Sequence, residues 1–388
     1  MPVLPLSRRL ILACTCITAC TGGGGGDDDG ATGTTSSTSG ATGDAAWLVQ
    51  VADRSGDRPI AGLTVAFHGA AAHWAHVTDD GRLHVRAEAP GGFAEIDVAP
   101  STVQSLQQPL LASDGSVLCA GAWMFLGEVG IHLWCRSADD QPFTQLPRAA
   151  ADVGLTGRRL GLVVVDGAPI LAYPDLQGDA VVERWSGAAW EPVAAPLPGP
   201  FVDTLLAGAG DDLHLLGFRG DVDLVDRNLA LARLDSGAWQ PLTIPDVLAD
   251  DPQVARLAVD SAGVAVVALA RGDGTTALYD TRTGPLAARG EVDGGVVDLA
   301  PDPARPGVVL GPRISSILDP NAGLRGVVEL DADALRDRLL DADSAAAADA
   351  VLNPVGVKET RIAAREGRVL VAYREERSPG AATLLALE

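Results

Sequence analysis

Short apolar runs separated by turns rich in Gly and Asp fill the chain from about residue 46 onward. The run 47–51 is mostly apolar and is followed by a polar turn at 53–57. Leu83-His84-Val85 alternates apolar and polar side chains directly after a second turn at 78–82. A period of two residues places alternate side chains on opposite faces of a strand. The pattern therefore predicts β-strands joined by tight turns.

One strand-and-turn element recurs through residues 105–388. It consists of an apolar strand, a turn that contains Gly and a second apolar strand, as in 162–171. Other copies lie at 109–118 and around 210–212, 261–263, 302–307 and 366–368. Gly suits such reversals because it accepts a positive φ.

A second repeat begins at Arg184 and aligns without a gap on the segment that begins at Arg233, which places Trp190 on Trp239. The offset between the two segments is about 49 residues. Sheets that repeat at such a spacing bury one face against the next sheet, and closure into a ring removes exposed edges. The six turn elements predict an all-β fold with a six-bladed β-propeller at 105–388. The spacing is also compatible with an array of β-sandwiches or with a β-solenoid.

One segment, 331–352, breaks the β pattern. It is rich in Ala, Leu, Arg and Asp, with Leu335 and Leu339 at helical spacing and Asp331 at its start. Acidic residues favour the N-terminal end of a helix. These features predict one helix inserted between the last two blades.

The N-terminus has the pattern of an export signal. Arg8 and Arg9 precede an apolar stretch at 10–19 that is too short to span a bilayer. This stretch ends in Ile17-Thr18-Ala19-Cys20, which resembles the bacterial lipobox. The resemblance implies a signal peptide at 1–19, a diacylglycerol or palmitate anchor on Cys20 and a place in the cell envelope. Thr21, rather than Asp, after the cysteine favours the outer membrane if the cell is Gram-negative.

Two alternatives to this signal remain open. Ile11-Leu12-Ala13-Cys14 also fits the lipobox pattern, but cleavage there would leave an apolar stretch of only about four residues, fewer than such signals use. The other alternative is a secretory signal without lipid.

Residues 20–45 contain almost nothing apolar to bury and are interpreted as a flexible tether. Asp27-Asp28-Asp29 lacks the ligand spacing of a calcium loop, so no metal site is predicted there.

Residues 46–100 are interpreted as a small separate domain. The order of a strand, Pro59-Ile60-Ala61-Gly62-Leu63-Thr64-Val65 and then Thr78-Asp79-Asp80-Gly81-Arg82-Leu83 resembles the carboxypeptidase regulatory-like β-sandwiches. The resemblance implies a non-catalytic accessory domain.

Four of the six histidines lie in this small domain: His68, His73, His76 and His84. The spacing of His73 and His76 suits a zinc loop. In a strand, however, these two side chains would point to opposite faces. Structural histidines are therefore predicted, and no metal site.

The repeats at 105–388 resemble kelch or sialidase-type (BNR) propellers. Ser137-Ala138-Asp139-Asp140-Gln141 is nearest to the Asp-box of the second family, with Gln141 where that motif has Gly. No double-glycine kelch signature is present.

Cys119 and Cys135 are the two cysteines beyond the signal region. They are equidistant from a turn near Gly127, so a hairpin would bring them face to face. A disulfide between them fits an oxidising compartment.

Composition and motifs limit the classes of function that the sequence supports. The formal charge of −22 opposes binding to nucleic acid or anionic lipid. No Gly-x-Ser-x-Gly elbow or His-Glu-x-x-His motif occurs, and His132 and His214 lie in apolar strands. Tyr373-Arg374-Glu375-Glu376 supplies the residue types that a sialidase-like site needs. Two further Tyr–Asp pairs, Tyr173 with Asp175 and Tyr279 with Asp280, do the same.

The sequence therefore predicts a monomeric, non-enzymatic envelope lipoprotein without a cofactor. It would bind a protein or a glycan through propeller loops. A glycan-acting hydrolase or lyase of sialidase-like type, or a purely structural envelope component, are the alternatives.

Overall fold

The computed structural model describes residues 49–54, 60–98, 106–124, 129–149, 159–219, 228–243, 254–315, 323–339, 359–374 and 382–387. The chain divides into two compact units, 1–44 and 45–388, and every described residue belongs to the second. The regular structure of the described residues is entirely β. No helix among them has the length and apolar character needed to cross a membrane.

The strands form seven antiparallel sheets, each of which is one blade of a β-propeller. The first strand, β1 (Val49–Arg54), belongs to the last blade. Blade 1 contains β2 (Ile60–His68), β3 (Ala71–Thr78), β4 (Leu83–Ala89) and β5 (Gly92–Ile96). Blade 2 contains β6 (Leu106–Ser113), β7 (Leu118–Met124), β8 (Gly130–Arg136) and β9 (Thr144–Gln145). Blade 3 contains β10 (Gly161–Val165), β11 (Ala168–Pro174), β12 (Ala180–Trp185) and β13 (Trp190–Pro192).

The remaining blades follow the same plan. Blade 4 contains β14 (Phe201–Ala209), β15 (Asp212–Arg219), β16 (Asn228–Asp235) and β17 (Ala238–Leu242). Blade 5 contains β18 (Val254–Val259), β19 (Ala265–Ala270), β20 (Thr275–Asp280) and β21 (Ala287–Asp293). Blade 6 contains β22 (Gly295–Val296), β23 (Ala300–Pro301), β24 (Val309–Ile314), β25 (Leu324–Leu330) and β26 (Leu335–Leu339). Blade 7 contains β27 (Glu359–Arg365), β28 (Arg368–Arg374), β29 (Ala382–Leu387) and β1.

The ring closes through the two ends of this unit. The innermost strand of blade 1, β2, packs against β6 of blade 2 on one side and β27 of blade 7 on the other. Strand β1 pairs with β29, with Val49 opposite Leu387 and Val51 opposite Leu385. Blade 7 therefore combines three strands from the end of the chain with one from its beginning.

Seven apolar clusters hold the ring together, and each lies between two consecutive blades. The second strand of a blade is covered on both faces, so it reads as a continuous apolar run rather than an alternating one. All six residues of β19 are buried, for example. Between β10 and β11, Asp166 and Gly167 both have a positive φ, of 52° and 75°, as a tight hairpin turn requires.

The predicted β-propeller is confirmed, but the number of six blades is wrong. The six turn elements found in the sequence are the hairpins between the first and second strands of blades 2–7. The corresponding turn of blade 1, at Gly69, lacks the Asp-Gly signature. Strands β2–β5, expected in a small β-sandwich ahead of the propeller, form this additional blade.

The predicted inserted helix is also wrong wherever its residues are described. Leu335–Leu339 is strand β26, which pairs with β25. A spacing of four residues keeps two side chains on one face of a strand as well as of a helix, so Leu335 and Leu339 do not distinguish the two. Asp331 begins a turn, in which its Oδ1 accepts hydrogen bonds from the amides of Asp333 and Ala334. Residues 340–352 lie outside the described part.

Candidate ligand-binding site

The two faces of the ring differ in the length of their connections. We call the face on which the innermost strand of each blade begins the loop face, and the opposite one the hairpin face. The loop face carries the connections between blades, such as 193–200 between β13 and β14. On the hairpin face, Asp166 and Gly167 suffice to join β10 to β11. Because loops on a rigid scaffold commonly carry binding residues, the loop face is the candidate binding surface.

Charged side chains from five consecutive blades gather near the loop face. Asp203, Arg256 and Arg361 are each the third residue of an innermost strand: β14, β18 and β27 respectively. Arg159 precedes β10, and Asp298 lies between β22 and β23. The pKa of Arg256 responds to the charges of all four others. Side chains from blades 3–7 can approach one residue together only around the axis of the ring, so we call this set the axial cluster.

Arg256 is the most deeply buried member of the axial cluster, at 6% exposure. Its Nη1 donates to the carbonyl of Ala255 at 2.7 Å, and its Nε donates to the carbonyl of Val297. The nearest carboxylate oxygen, Oδ1 of Asp298, is 4.0 Å from Nε, beyond hydrogen-bond distance. The guanidinium is therefore bonded to neutral carbonyl groups within the described part of the protein.

Burial lowers the pKa of Arg256 well below its usual range. The positive charges of Arg159 and Arg361 lower this pKa further, while Asp298 and Asp203 raise it. Burial disfavours the charged form of any group, and like charges nearby add to that effect. The axial cluster thus brings charges of both signs together around Arg256.

Hydrogen bonds to the backbone tie neighbouring blades together at the level of the axial cluster. Oδ2 of Asp298 accepts a hydrogen bond from the amide of Ile362 at 2.9 Å, which ties blade 6 to blade 7. The amide of Thr204 donates to the carbonyl of Arg159 at 3.2 Å, which ties blade 4 to blade 3. A β-bulge between Phe201 and Asp203 redirects β14 at this level.

Two large apolar side chains are exposed on the loop face. Leu176, in the turn between β11 and β12, is 61% exposed, and Leu339, at the end of β26, is 54% exposed. They are the exposed large hydrophobic residues of the described part of the chain. Leu176 belongs to blade 3 and Leu339 to blade 6, so they are two separate exposed side chains on the face that carries the axial cluster.

The histidines of blade 1 point to both sides of that blade. His73 contacts Arg136 of blade 2, with Nε2 2.9 Å from Nη2, whereas His76 stacks on Trp74 and on His84. Burial lowers the pKa of His73 to about 4 and that of His76 to about 3. No group of three or more His, Cys, Asp and Glu side chains among the described residues is arranged to hold a metal ion.

The tyrosines that suggested a glycosidase lie apart from one another. Tyr173 is buried between blades 2 and 3, Tyr279 between blades 4 and 5, and Tyr373 between blades 6 and 7. The hydroxyl of Tyr173 donates to Glu183 at 2.8 Å. Each of the three rings thus packs in a different core, whereas the acids and arginines of the axial cluster converge.

Cys119 and Cys135 lie directly opposite each other on β7 and β8 and form a disulfide.

His132 and His214, expected in apolar strands, are buried in β8 and β15. Cys20 and Asp27–Asp29, and the tether that contains them, lie outside the described residues.

A cavity of about 310 Å³ opens between blades 3 and 4 on the hairpin face. Its lining includes Arg184, Asp211 and Ser236, from the repeated hairpins of these blades. The Nη2 of Arg184 donates to the carbonyl of Val165 at 3.4 Å.

The axial cluster was missed in the sequence because the search followed turns and enzyme motifs. A signal for it does exist. Three innermost strands carry a charged residue at the third position, as in Phe201-Val202-Asp203 and Val254-Ala255-Arg256. Only the register of the blades shows that these positions share one level of the ring.

Comparisons with known proteins give the fold and not the family. No family model matches the sequence, and no curated protein matches it. A solved structure of YCF48 bound to D1 peptide is similar, with 12% identity and a TM-score of 0.54, over 89% of this chain and 98% of that one. AofleA from Arthrobotrys oligospora gives 13% identity and a TM-score of 0.49, over 74% of this chain and 88% of its own. At 12% identity the likeness to the YCF48 structure shows a β-propeller and nothing finer.

Proposed function

We propose that this protein is a non-enzymatic cell-envelope lipoprotein that binds another protein through the loop face of its propeller. The observation that carries the proposal is the axial cluster, in which five consecutive blades each contribute a charged side chain to one place. Charges at the surface of a rigid ring give orientation and specificity to a docking partner.

Other features of the loop face support a protein partner. Leu176 and Leu339 supply apolar contact area, and interfaces between proteins combine such area with a polar surround. The similar propeller YCF48 was solved bound to a peptide. The formal charge of −22 makes an acidic glycan or nucleic acid a poor ligand, because like charges repel.

The proposed anchor rests on the sequence. Lipidation of Cys20 would hold the protein in the envelope, and the residues that follow it, up to about 45, would act as a tether. The disulfide between Cys119 and Cys135 is consistent with an oxidising compartment outside the cytoplasm.

A glycan hydrolase of sialidase-like type is less well supported. Such a reaction needs a tyrosine nucleophile beside an acid and an arginine cluster. The axial cluster supplies acids and arginines, but Tyr173, Tyr279 and Tyr373 pack between blades. This arrangement favours binding over tyrosine-based catalysis.

Photo-crosslinking tests the proposed binding face. A photoreactive amino acid replaces Leu176 or Leu339 on the loop face, and Ser186 on the hairpin face serves as the matched control. After irradiation in an envelope extract, we expect specific protein adducts from the two loop-face positions, and the Ser186 position should give none. The substitutions Leu176→Asp and Leu339→Asp, made together, should abolish capture of the partner protein in a pull-down. Equal adducts from both faces, or none from the loop face, would contradict the proposal.

A further inference from the structure

The cavity between blades 3 and 4 combines an apolar lining with a few polar groups. Its apolar side chains are those of Ile170, Val193, Leu213 and Leu234. Its polar side chains are those of Arg184, Asp211 and Ser236. The volume of about 310 Å³ lies at the lower end of the range of about 300–1,000 Å³ that small-molecule sites occupy. The cavity therefore has the size and the mixed lining of a site for a small ligand.

Arg184 brings a charge to this cavity without a counter-charge of its own. Its side chain is half-buried in β12. Within the described part of the chain, its guanidinium bonds only to the carbonyl of Val165, at the long distance of 3.4 Å. A carbonyl accepts a hydrogen bond from a guanidinium but does not neutralise its charge. The positive charge of Arg184 is thus left for a group that enters the cavity.

The sequence repeat shows that blade 3 differs from blade 4 at this point. Arg184 of blade 3 aligns with Arg233 of blade 4. Arg233 forms an ion pair with Asp212 at the start of β15. By the register of the two hairpins, the residue of blade 3 that corresponds to Asp212 is Ala168, at the start of β11. Blade 3 therefore keeps the arginine and lacks the carboxylate that neutralises it in blade 4.

The charges of the lining limit the class of ligand. Arg184 and Asp211 form no ion pair with each other or with another described residue, so the cavity presents one positive and one negative group. A zwitterion offers an opposite charge to each of them. Because it has no net charge, a chain of net charge −22 does not repel it as it repels an anion. A sugar hydroxyl could bond to both groups, but it would neutralise neither.

We propose that the cavity between blades 3 and 4 binds a free α-amino acid with an apolar side chain. The carboxylate of the ligand pairs with Arg184, its ammonium pairs with Asp211, and its side chain packs on the apolar lining. Arginine suits this role because its planar guanidinium can pair with both oxygens of a carboxylate. The inference goes beyond the proposed function, since it concerns the hairpin face and a small ligand.

Isothermal titration calorimetry tests this proposal on the purified full-length chain in mild detergent. The ligand is L-leucine, and three further compounds are titrated under the same conditions. Leucinamide lacks the carboxylate, N-acetyl-leucine lacks the ammonium, and methyl α-glucoside is a neutral sugar. We expect leucine to bind and both blocked analogues to bind about tenfold more weakly or less, because each loses a charge-assisted pair.

Variants place the carboxylate on Arg184. Arg184→Gln should weaken leucine binding about tenfold, because the ionic pair is lost. Ala168→Asp should weaken it as well, because it keeps the lining intact and gives Arg184 the internal partner that Arg233 has. Arg233→Gln is the matched control, since it changes the equivalent position of blade 4 outside the lining, and it should leave binding unchanged. If Arg184→Gln fails to fold, Ala168→Asp and Asp211→Asn, which lies in an exposed turn, still decide.

Four outcomes would overturn the proposal. Equal binding of leucine and its blocked analogues would mean that the two charges do not recognise the ligand. An equal loss in Arg233→Gln and Arg184→Gln would remove the special role of Arg184. Binding of methyl α-glucoside in place of leucine would replace the ligand class, and no binding of any compound would remove the site. None of these results bears on the loop face, whose proposed function is tested separately by photo-crosslinking.

Discussion

His73 of blade 1 and Arg136 of blade 2 are in direct contact, with Nε2 of the imidazole 2.9 Å from Nη2 of the guanidinium. Since the guanidinium can only donate, Nε2 must accept, and the imidazole is neutral with its proton on Nδ1. Nδ1 in turn donates to the carbonyl of Ala71 at 3.2 Å. The charged or titratable neighbours are Arg136, Asp139, His68 and, at longer range, Glu88.

This contact predicts acid sensitivity. Burial first, and then Arg136, lower the pKa of His73 from 6.5 to about 4. Between these two values the unfolded chain binds a proton that the folded chain does not. The contribution of neutral His73 to the free energy of unfolding is therefore complete above about pH 6.5. This contribution is lost as the pH falls towards 4.

A substitution isolates this contribution. In His73→Gln, the side-chain oxygen can still accept from Arg136 but does not titrate. From pH 7 to pH 4.5, urea denaturation should show the free energy of unfolding of the wild type falling by about 2 kcal/mol more than that of the variant. Parallel pH profiles of the two proteins would show that His73 is not the titrating group.

The disulfide should stabilise the folded ring because it lowers the conformational entropy of the unfolded chain. It joins residues 16 positions apart, and closing a loop of that size in the unfolded chain is worth about 3 kcal/mol. We expect the double variant Cys119→Ala/Cys135→Ala to lose about that much in denaturant unfolding. Reductant should weaken the wild type and leave the double variant unchanged, and mass mapping without reductant should find the linked peptides. Free thiols at both positions would contradict the pairing.

Close packing predicts opposite results for two glycines. A Cβ at Gly121 in β7 would lie 2.3 Å from the carbonyl oxygen of His132 on β8, so Gly121→Ala should cost about 1–3 kcal/mol. Gly272 has no atom within 4 Å of such a Cβ, and its φ is not in the left-handed region. Gly272→Ala should therefore be neutral or slightly stabilising. Thermal melts of the two variants compare them directly, and a stable Gly121→Ala would show that the blade can widen.

Closure of the ring depends on β1. A chain that starts at residue 45 should keep its fold, whereas one that starts at residue 55 loses β1 and leaves the edge of β29 unpaired. An unpaired edge invites association with other chains. Size-exclusion chromatography should show aggregation or partial unfolding of the shorter chain only. Equal behaviour of the two would mean that three strands suffice for blade 7.

The anchor is tested at Cys20. Cys20→Ala should move the protein from the membrane fraction to the soluble fraction, because the acylated thiol is lost. Cys14→Ala serves as the control and should leave the protein in the membrane fraction. Membrane retention of Cys20→Ala would refute lipidation at this residue.

The β-propeller itself was predictable because its repeats show in local patterns. The hairpin of Asp166 and Gly167 has a turn sequence that is readable without any tertiary contact. The opposition of Cys119 and Cys135 followed from counting outward from one turn. Each of these features depends on residues that lie close together in the sequence.

The features that were missed depend on distant parts of the chain. Blade 1 was taken for a separate domain because its packing of β2 against β27 joins residues nearly 300 positions apart. The same holds for the axial cluster, since the proximity of Arg256 to Arg361 exists only once the ring has closed. Leu335 and Leu339 were ambiguous for a different reason: their spacing suits a helix and a strand equally well.

The pairing of β1 with β29 also sets the order of events during synthesis. Val49 is made before any of the six blades that precede its partner, Leu387. Blades 1 to 6 can form in sequence as the chain emerges, but blade 7 must wait until β29 has also been made. A messenger that ends prematurely would therefore yield an open arc with two bare flanks, which proteases can recognise and remove.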